Sequence, residues 1–184
     1  MNALEALHTR TSCPRLIEPA PNANELKNIY LAATRAADHG LLRPWRFLTI
    51  EEESLDKLGE LFAKAALEKD PSLIATKLDN IRRKPRRAPL IIVCIATLHE
   101  HPKIPTIEME LSAAAATQNM LIAAHAQNIG GMWRTGAMAY SSTVKNGLGL
   151  GANETIVGFL YLGTRAAPPR PIARIAVNDL VQRW

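Results

Sequence analysis

Apolar and polar positions along this chain fall into sharply bounded blocks. Leu26, Ile29, Tyr30 and Ala33 recur at helical spacing behind Asn22, which forms a capping-box pair with Glu25. The spacing predicts a helix that fades near Asp38, with Gly40 as terminator, and a shorter helix over residues 2–8 before it. If the last turn stays helical, Arg35 and His39, four apart, share a face. WRFLTI (45–50), bounded by Pro44, predicts a strand. Leu55, Leu58, Leu61, Phe62 and Ala65 predict a helix from about Ser54, and a more polar one follows from about Ser72 to Arg83.

The second half is more apolar. LIIVCIA (90–96) is an unbroken apolar run rich in β-branched residues, as expected of a strand buried on both faces. Leu111 to Trp133 contains no Lys, Arg, Asp or Glu, and the pattern predicts a long helix from about Ile107 to Asn128. Glu108 and Glu110 fall in its first turn, where the helix dipole favours them. Gly130-Gly131 reads as its terminator. MWRTG then predicts a short strand, Ser141 or Ser142 a cap for a brief helix to Leu148, and TIVGFLYLG (155–163) another central strand. The tail from Arg165 is proline-broken and extended. About four strands alternating irregularly with helices indicate an α+β or three-layer domain rather than a doubly wound sheet. A long helix that is apolar all round needs cover on every side, which a second subunit would supply.

Composition narrows the function classes. The 184 residues suffice for one domain with a proper core, and 47% hydrophobic against 21% charged residues is a globular profile. With 5% aromatics, few stacking platforms exist for single-stranded nucleic acid. The net charge of +5 suits an anionic partner, and a phosphate-bearing cofactor satisfies it as well as nucleic acid does. Cys13 and Cys94 form no CxxC pair, so neither a disulfide framework nor a zinc site is indicated. The N-terminus has no secretion-signal pattern. Gln118, Asn119, His125, Gln127 and Asn128 make Leu111–Trp133 a poor membrane span. The expectation is a cytoplasmic protein with neither membrane nor nucleic acid as partner.

Most candidate motifs carry little chemistry. GLGLG (147–151) leaves a short helix and enters a loop, the reverse of a dinucleotide-binding turn. RRKPRR (82–87) reads as a solvated helix end, with nucleic acid or the extra phosphate of NADPH as alternatives. His8, His39, His99, His101 and His125 show no paired metal spacing. Cys94 reads as a small buried hydrophobe. Arg10-Thr11-Ser12 differs: guanidinium forks and hydroxyls at a helix exit suit a phosphate.

Four segments in register resemble the flavin-dependent nitroreductase family, closest to its short bacterial NAD(P)H nitroreductases. They are Arg10-Thr11-Ser12 with Arg15-Leu16, Arg35-Ala36-Ala37-Asp38-His39 with Pro44-Trp45, Gly130-Gly131-Met132-Trp133-Arg134-Thr135-Gly136, and VGFLYLG (157–163). The resemblance spans nearly the whole chain. It implies an α+β fold with a central mixed or antiparallel sheet flanked by helices. It further implies one FMN-binding domain over 1–184 and an intertwined homodimer in which the tail 165–184 exchanges with the partner. Arg10, Thr11 and Ser12 would hold the FMN phosphate and ribityl chain. Arg35 and His39 would reach the flavin from the other subunit, and Gly131, Met132 and Trp133 would line the isoalloxazine with Arg134 nearby. Two positions depart from the family pattern: Arg43 replaces the usual Gln or Asn before Pro-Trp, and Leu16 replaces an aromatic.

The implied activity is oxidoreduction by a ping-pong mechanism. NADH or NADPH would reduce FMN, which then reduces nitroaromatics, quinones or similar electron-poor acceptors. No catalytic side chain and no metal are expected, because the flavin carries the chemistry. Reductive dehalogenation or flavin fragmentation on the same fold is the alternative, and a basic nucleic-acid-binding module the remote one.

Overall fold

The computed structural model describes residues 1–169, 171–172 and 175–184. Helices α1 (Ala3–Thr9), α2 (Ala23–Ala33), α3 (Glu53–Lys69), α4 (Ala75–Arg82), α5 (Thr106–Ala126) and α6 (Ser142–Gly147) surround strands β1 (Leu16–Ile17), β2 (Trp45–Glu51), β3 (Leu90–Thr97), β4 (Gly130–Arg134) and β5 (Glu154–Arg165). Every strand pairing is antiparallel. β5 lies between β3 and β4, β2 lies beyond β3, and β1 pairs with the last two residues of β5. The α+β expectation holds, with five strands among the described residues rather than about four. Two-residue β1 is too short for periodicity to reveal.

The period-two alternation of β3 builds the core. Leu90, Ile92 and Cys94 point to one face and pack with Ile29 and Ala33 of α2 and Ala116 and Met120 of α5. Ile91, Val93 and Ile95 point to the other face and pack with Leu55, Leu58 and Phe62 of α3. Both faces are covered, which is why 90–96 is continuously apolar.

Two helix ends differ from the sequence pattern. α2 stops at Ala33, because the Thr34 hydroxyl donates to the Leu31 carbonyl at 2.7 Å and the following amides of Arg35 and Ala36 make only three-residue turns. Arg35 and His39 therefore share no helical face. Instead, Gly40, Leu41 and Arg43 all have positive φ, and the Arg43 N–H donates to Asp38 Oδ2 at 2.6 Å.

α5 ends at Ala126 through Asn128 rather than at Gly130-Gly131. Asn128 has φ +62°, its N–H donates to His125 O at 2.9 Å, and the Ile129 N–H donates to Ala124 O at 2.9 Å. This is a Schellman closure with asparagine in the left-handed position. Both glycines are thereby freed to begin β4.

Outside the core, Ile107 and Leu111 on α5 are exposed, as are Ile172, Ile175, Val177, Leu180 and Val181 of the tail. Of the tail expectation over 165–184, residues 170, 173 and 174 lie outside the described residues. The remainder holds one short helical turn at Val177–Asp179.

Candidate functional site

The exit of α1 and the end of β5 meet beside the C-terminal end of α5. Arg10 caps α1, and its Nη1 is buried with no hydrogen-bond partner among the described residues. Arg165, at the end of β5, extends Nη1 to within 3.5 Å of Thr11 Oγ1 and Nη2 to within 3.0 Å of His125 Nδ1. The other ring nitrogen of His125 lies 2.9 Å from Thr9 Oγ1. Burial, then Arg165 and Arg10, push the His125 pKa down, with Glu5 opposing. Ser12 is exposed in the same segment, and the Cys13 N–H donates to Gly131 O at 2.9 Å, tying it to β4.

β4 divides its predicted residues between two faces of the sheet. Gly131 and Trp133 face α5: a Cβ on Gly131 would lie 2.6 Å from Leu121 Cδ1, and Trp133 packs into the α2/α5 cluster. The glycine at 131 thus suits the close approach of the Leu121 side chain from α5. Trp133 donates its Nε1–H to Val157 O at 3.3 Å and borders a cleft of about 520 Å³ with Leu111, Ala114 and Tyr140.

Met132 and Arg134 face the other way. There they border a cleft of about 390 Å³ with Lys84, Arg87 and Tyr161. An adjoining cleft of about 760 Å³ shares Arg87, Met132 and Arg134 and extends past Pro14 and Arg15. Among the described residues, no carboxylate lines either of these two clefts. The Arg134 guanidinium stands 5.3 Å from the centre of the Tyr161 ring, and its Nη2 reaches Pro14 O at 3.4 Å. Its Nε is buried without a partner among the described residues. Burial and the nearby Arg87 both depress the Arg134 pKa. Burial pushes the Tyr161 hydroxyl up to about 12, although Arg134 and Arg87 pull against it.

Arg35 and His39 lie elsewhere. Both are exposed, and His39 Nδ1 is 2.5 Å from Glu108 Oε2 in the first turn of α5. His125 and the Arg10 cluster sit at the far end of that helix, about 26 Å away at 1.5 Å per residue. A single protomer therefore does not bring His39 to the Arg10 cluster.

The basic run 82–87 divides in two. Arg82 pairs with Glu60 and Asp79, and Arg86 with Asp56, whereas Lys84 and Arg87 border the cleft. The solvated helix end describes Arg82, Arg86 and the exposed Arg83, but not Lys84 and Arg87. GLGLG does follow a helix, and the Glu154 carboxylate accepts the Gly151 N–H at 2.8 Å. Buried Cys94 has its thiol pushed up to about 12 by desolvation. Among the described residues, no cluster of His, Cys, Asp or Glu has the arrangement of a metal site, and no helix is long and apolar enough to cross a membrane.

Sequence reasoning missed Arg165, His125, Lys84, Arg87 and Tyr161 as site residues. The usable signal was positional: Arg165 stands two residues after the β5 motif, and Lys84 and Arg87 belong to the one strongly basic run.

The profile of the Nitroreductase family matches residues 7–164, most of the chain. The chain belongs to the nitroreductase family. It is 43% identical over 164 residues to the protein named "Putative NAD(P)H nitroreductase YdjA" from Escherichia coli (strain K12), covering 89% of this chain and 88% of that protein. A nitroreductase-like family protein from Bacillus cereus superposes with a TM-score of 0.88 at 21% identity, covering 100% of this chain and 96% of the other. A nitroreductase with bound FMN from Bacteroides fragilis NCTC 9343 superposes with a TM-score of 0.75 at 20% identity, covering 100% of both chains. At such identities the two structural likenesses establish the fold.

Proposed function

We propose that this nitroreductase-family protein is an FMN-dependent oxidoreductase. It takes electrons from NADH or NADPH and delivers them to electron-poor acceptors such as nitroaromatics and quinones, in two half-reactions at one site. One observation carries the reading. Arg10 Nη1 and Arg134 Nε are the buried side-chain polar atoms that lack a partner among the described residues, and both belong to segments expected to contact FMN. A buried donor left unmade costs about 1–3 kcal/mol, so two guanidinium atoms in that condition fit an anionic, acceptor-rich ligand.

The donor set fits FMN at both ends. Arg10, Thr11, Ser12 and Arg165 would hold the phosphate. Met132 and Arg134, with Arg15, Lys84 and Arg87, would border the ring system, and the β4 backbone at Gly131 and Trp133 would support it. When bound, FMN supplies the hydride transfer, and the chain itself needs no nucleophile or metal. Four cations bordering clefts without a carboxylate offset negative charge gained in the site on reduction.

The same reading makes the active unit a homodimer. His39 lies about a helix length from the Arg10 cluster, so with Arg35 it would complete the site when supplied by a second copy. Exposed Ile107 and Leu111 on α5 and the apolar tail residues support a close contact between copies. In this arrangement the whole chain, 1–184, is one FMN-binding domain whose tail packs on its neighbour.

Purified protein is expected to be yellow, or to become so on loading with FMN, and to be bleached by NADH or NADPH without oxygen. A nitroaromatic or quinone should restore the colour. Protein that stays colourless after unfolding and refolding with excess FMN would sink the proposal.

A further inference from the structure

We propose that His125 is a positioning residue that sets Arg165 for phosphate binding, and that the hold is released when the imidazole takes up a proton. The inference rests on the FMN reading above and extends it to a residue that no motif marked.

Hydrogen-bond bookkeeping fixes the imidazole. The Thr9 hydroxyl has one proton, which it donates to Glu5 O at 2.6 Å. Thr9 Oγ1 can therefore only accept from His125 Nε2, which must carry a hydrogen. Arg165 has only donors, so its Nη2–H requires a lone pair on His125 Nδ1 at 3.0 Å. Both conditions are met by one species, the neutral imidazole with its proton on Nε2. A protonated ring would set Nδ1–H against the guanidinium, turning a hydrogen bond into a clash of like charges.

The surroundings favour the neutral ring. Burial, Arg165 from β5 and Arg10 from the end of α1 all lower its pKa, against Glu5 of α1. The Glu5 carboxylate accepts from the Asn2 N–H at 3.3 Å, and Glu25 of α2, the other helix packed along α5, turns to the Asn22 N–H at 2.8 Å. Neither carboxylate pairs with the imidazole.

Arg165 is steered from its other side as well. A Cβ on Gly130 would lie 2.9 Å from Arg165 Cγ and 2.5 Å from Leu16 Cδ2, so glycine at 130 clears the path along which Arg165 reaches α5. Held there, Arg165 directs Nη1 toward Thr11 beside the unpartnered Nη1 of Arg10.

The test compares FMN with riboflavin, which lacks only the phosphate. Dissociation constants for both are measured for wild type, His125→Asn and His125→Leu across about pH 5–8, where imidazole titrates. In the wild type the preference for FMN should fall as pH drops. His125→Asn, whose Oδ1 can still accept from Arg165, should keep the preference and show only the fall due to protonation of the phosphate itself, near pH ~6. His125→Leu should lose about tenfold of the preference at about pH 8, with riboflavin affinity unchanged. A leucine variant with wild-type preference, or an asparagine variant with the wild-type pH profile, overturns the proposal.

Imidazole nitrogen NMR gives a readout independent of flavin. The Nε2–H tautomer is expected, and Arg165→Gln should raise the His125 pKa; an Nδ1–H tautomer overturns the hold. Should the wild type bind neither flavin, the oxidoreductase reading fails. Inorganic phosphate then decides this one: it must shift the His125 resonances in the wild type and not in Arg165→Gln.

Discussion

Arg46 and Arg134 both stand on strands of the same sheet, yet their surroundings are opposite. Arg46 donates Nε and Nη2 to the two oxygens of Glu154 at 2.5 and 2.7 Å. That carboxylate also accepts from the Thr97 hydroxyl at 3.3 Å and the Gly151 N–H at 2.8 Å, closing a circuit across β2, β3 and β5. Arg134 has a carbonyl at 3.4 Å, an aromatic face and a cationic neighbour, with its Nε unmade among the described residues. One arginine completes its own environment, whereas the other, like Arg10, is left for something to be added. An unpartnered buried donor is costly, and a bound anionic ligand would offset that cost. The contrast therefore separates stability from binding, and each region should respond to mutation in only one of the two.

The largest effect is expected on the open side. Arg10→Ala should weaken FMN binding by about 1.5–3 kcal/mol, the range for a charge-assisted hydrogen bond, while leaving riboflavin binding and ligand-free stability nearly unchanged. Fluorescence titration with both flavins checks this, and equal FMN affinity in variant and wild type removes Arg10 from the site.

On the closed side, Glu154→Gln should cost about 2 kcal/mol of stability with flavin affinity intact. This is less than for a fully buried pair, because the Arg46 side chain keeps 36% exposure and solvent screens the charge. The Arg46 hydrogen bonds hold the Glu154 pKa down at about 2. A depressed carboxylate pKa stabilises the fold above the unfolded value of about 4.3, and the stabilisation drains away as pH falls toward the folded value. Acid titration of stability should therefore be shallower in Glu154→Gln than in the wild type between about pH 4.5 and 2.

The closed regions were also the legible ones. An unbroken apolar run, helical spacing and a capping box placed β3, α3 and the start of α2 close to where they lie, because burial and capping leave local signatures. α2 was read too long because the Thr34 hydroxyl competes for the backbone, and spacing does not report that. At Gly130-Gly131 composition misled. Asn128 ends the helix, and both glycines serve neighbours distant in sequence, Arg165 and Leu121. The motifs marked Arg10 and Arg134 but not Arg165 and His125. These two become a pair only when the end of β5 reaches the end of α5, a contact that no local pattern encodes. Lys84 and Arg87 were hidden in a charge run, and only their place at the cleft tells them apart from its other cations.

Gly131→Ala tests whether β4 belongs to the closed or the open kind. A new Cβ would meet Leu121 Cδ1, the tip of a side chain that can shift. The expected cost is about 1 kcal/mol, the mild end of overpacking, read by chemical denaturation. A matching loss of flavin affinity would mean that β4 is coupled to the ligand through its packing as well as its backbone.

The smallest stability effect is expected where the contrast began. Arg134→Met keeps much of the aliphatic stem but removes the guanidinium beside Tyr161, whose charge is opposed by burial and by Arg87. In ligand-free protein the change should lie within about 0.5 kcal/mol of the wild type, because the lost cation–π contact and the relieved repulsion act in opposite directions. With FMN present the same variant should gain less thermal stability than the wild type does, because stabilisation by a ligand follows its affinity. A loss of ligand-free stability as large as that of Glu154→Gln would place Arg134 with Arg46 as a structural group and remove the distinction between the two.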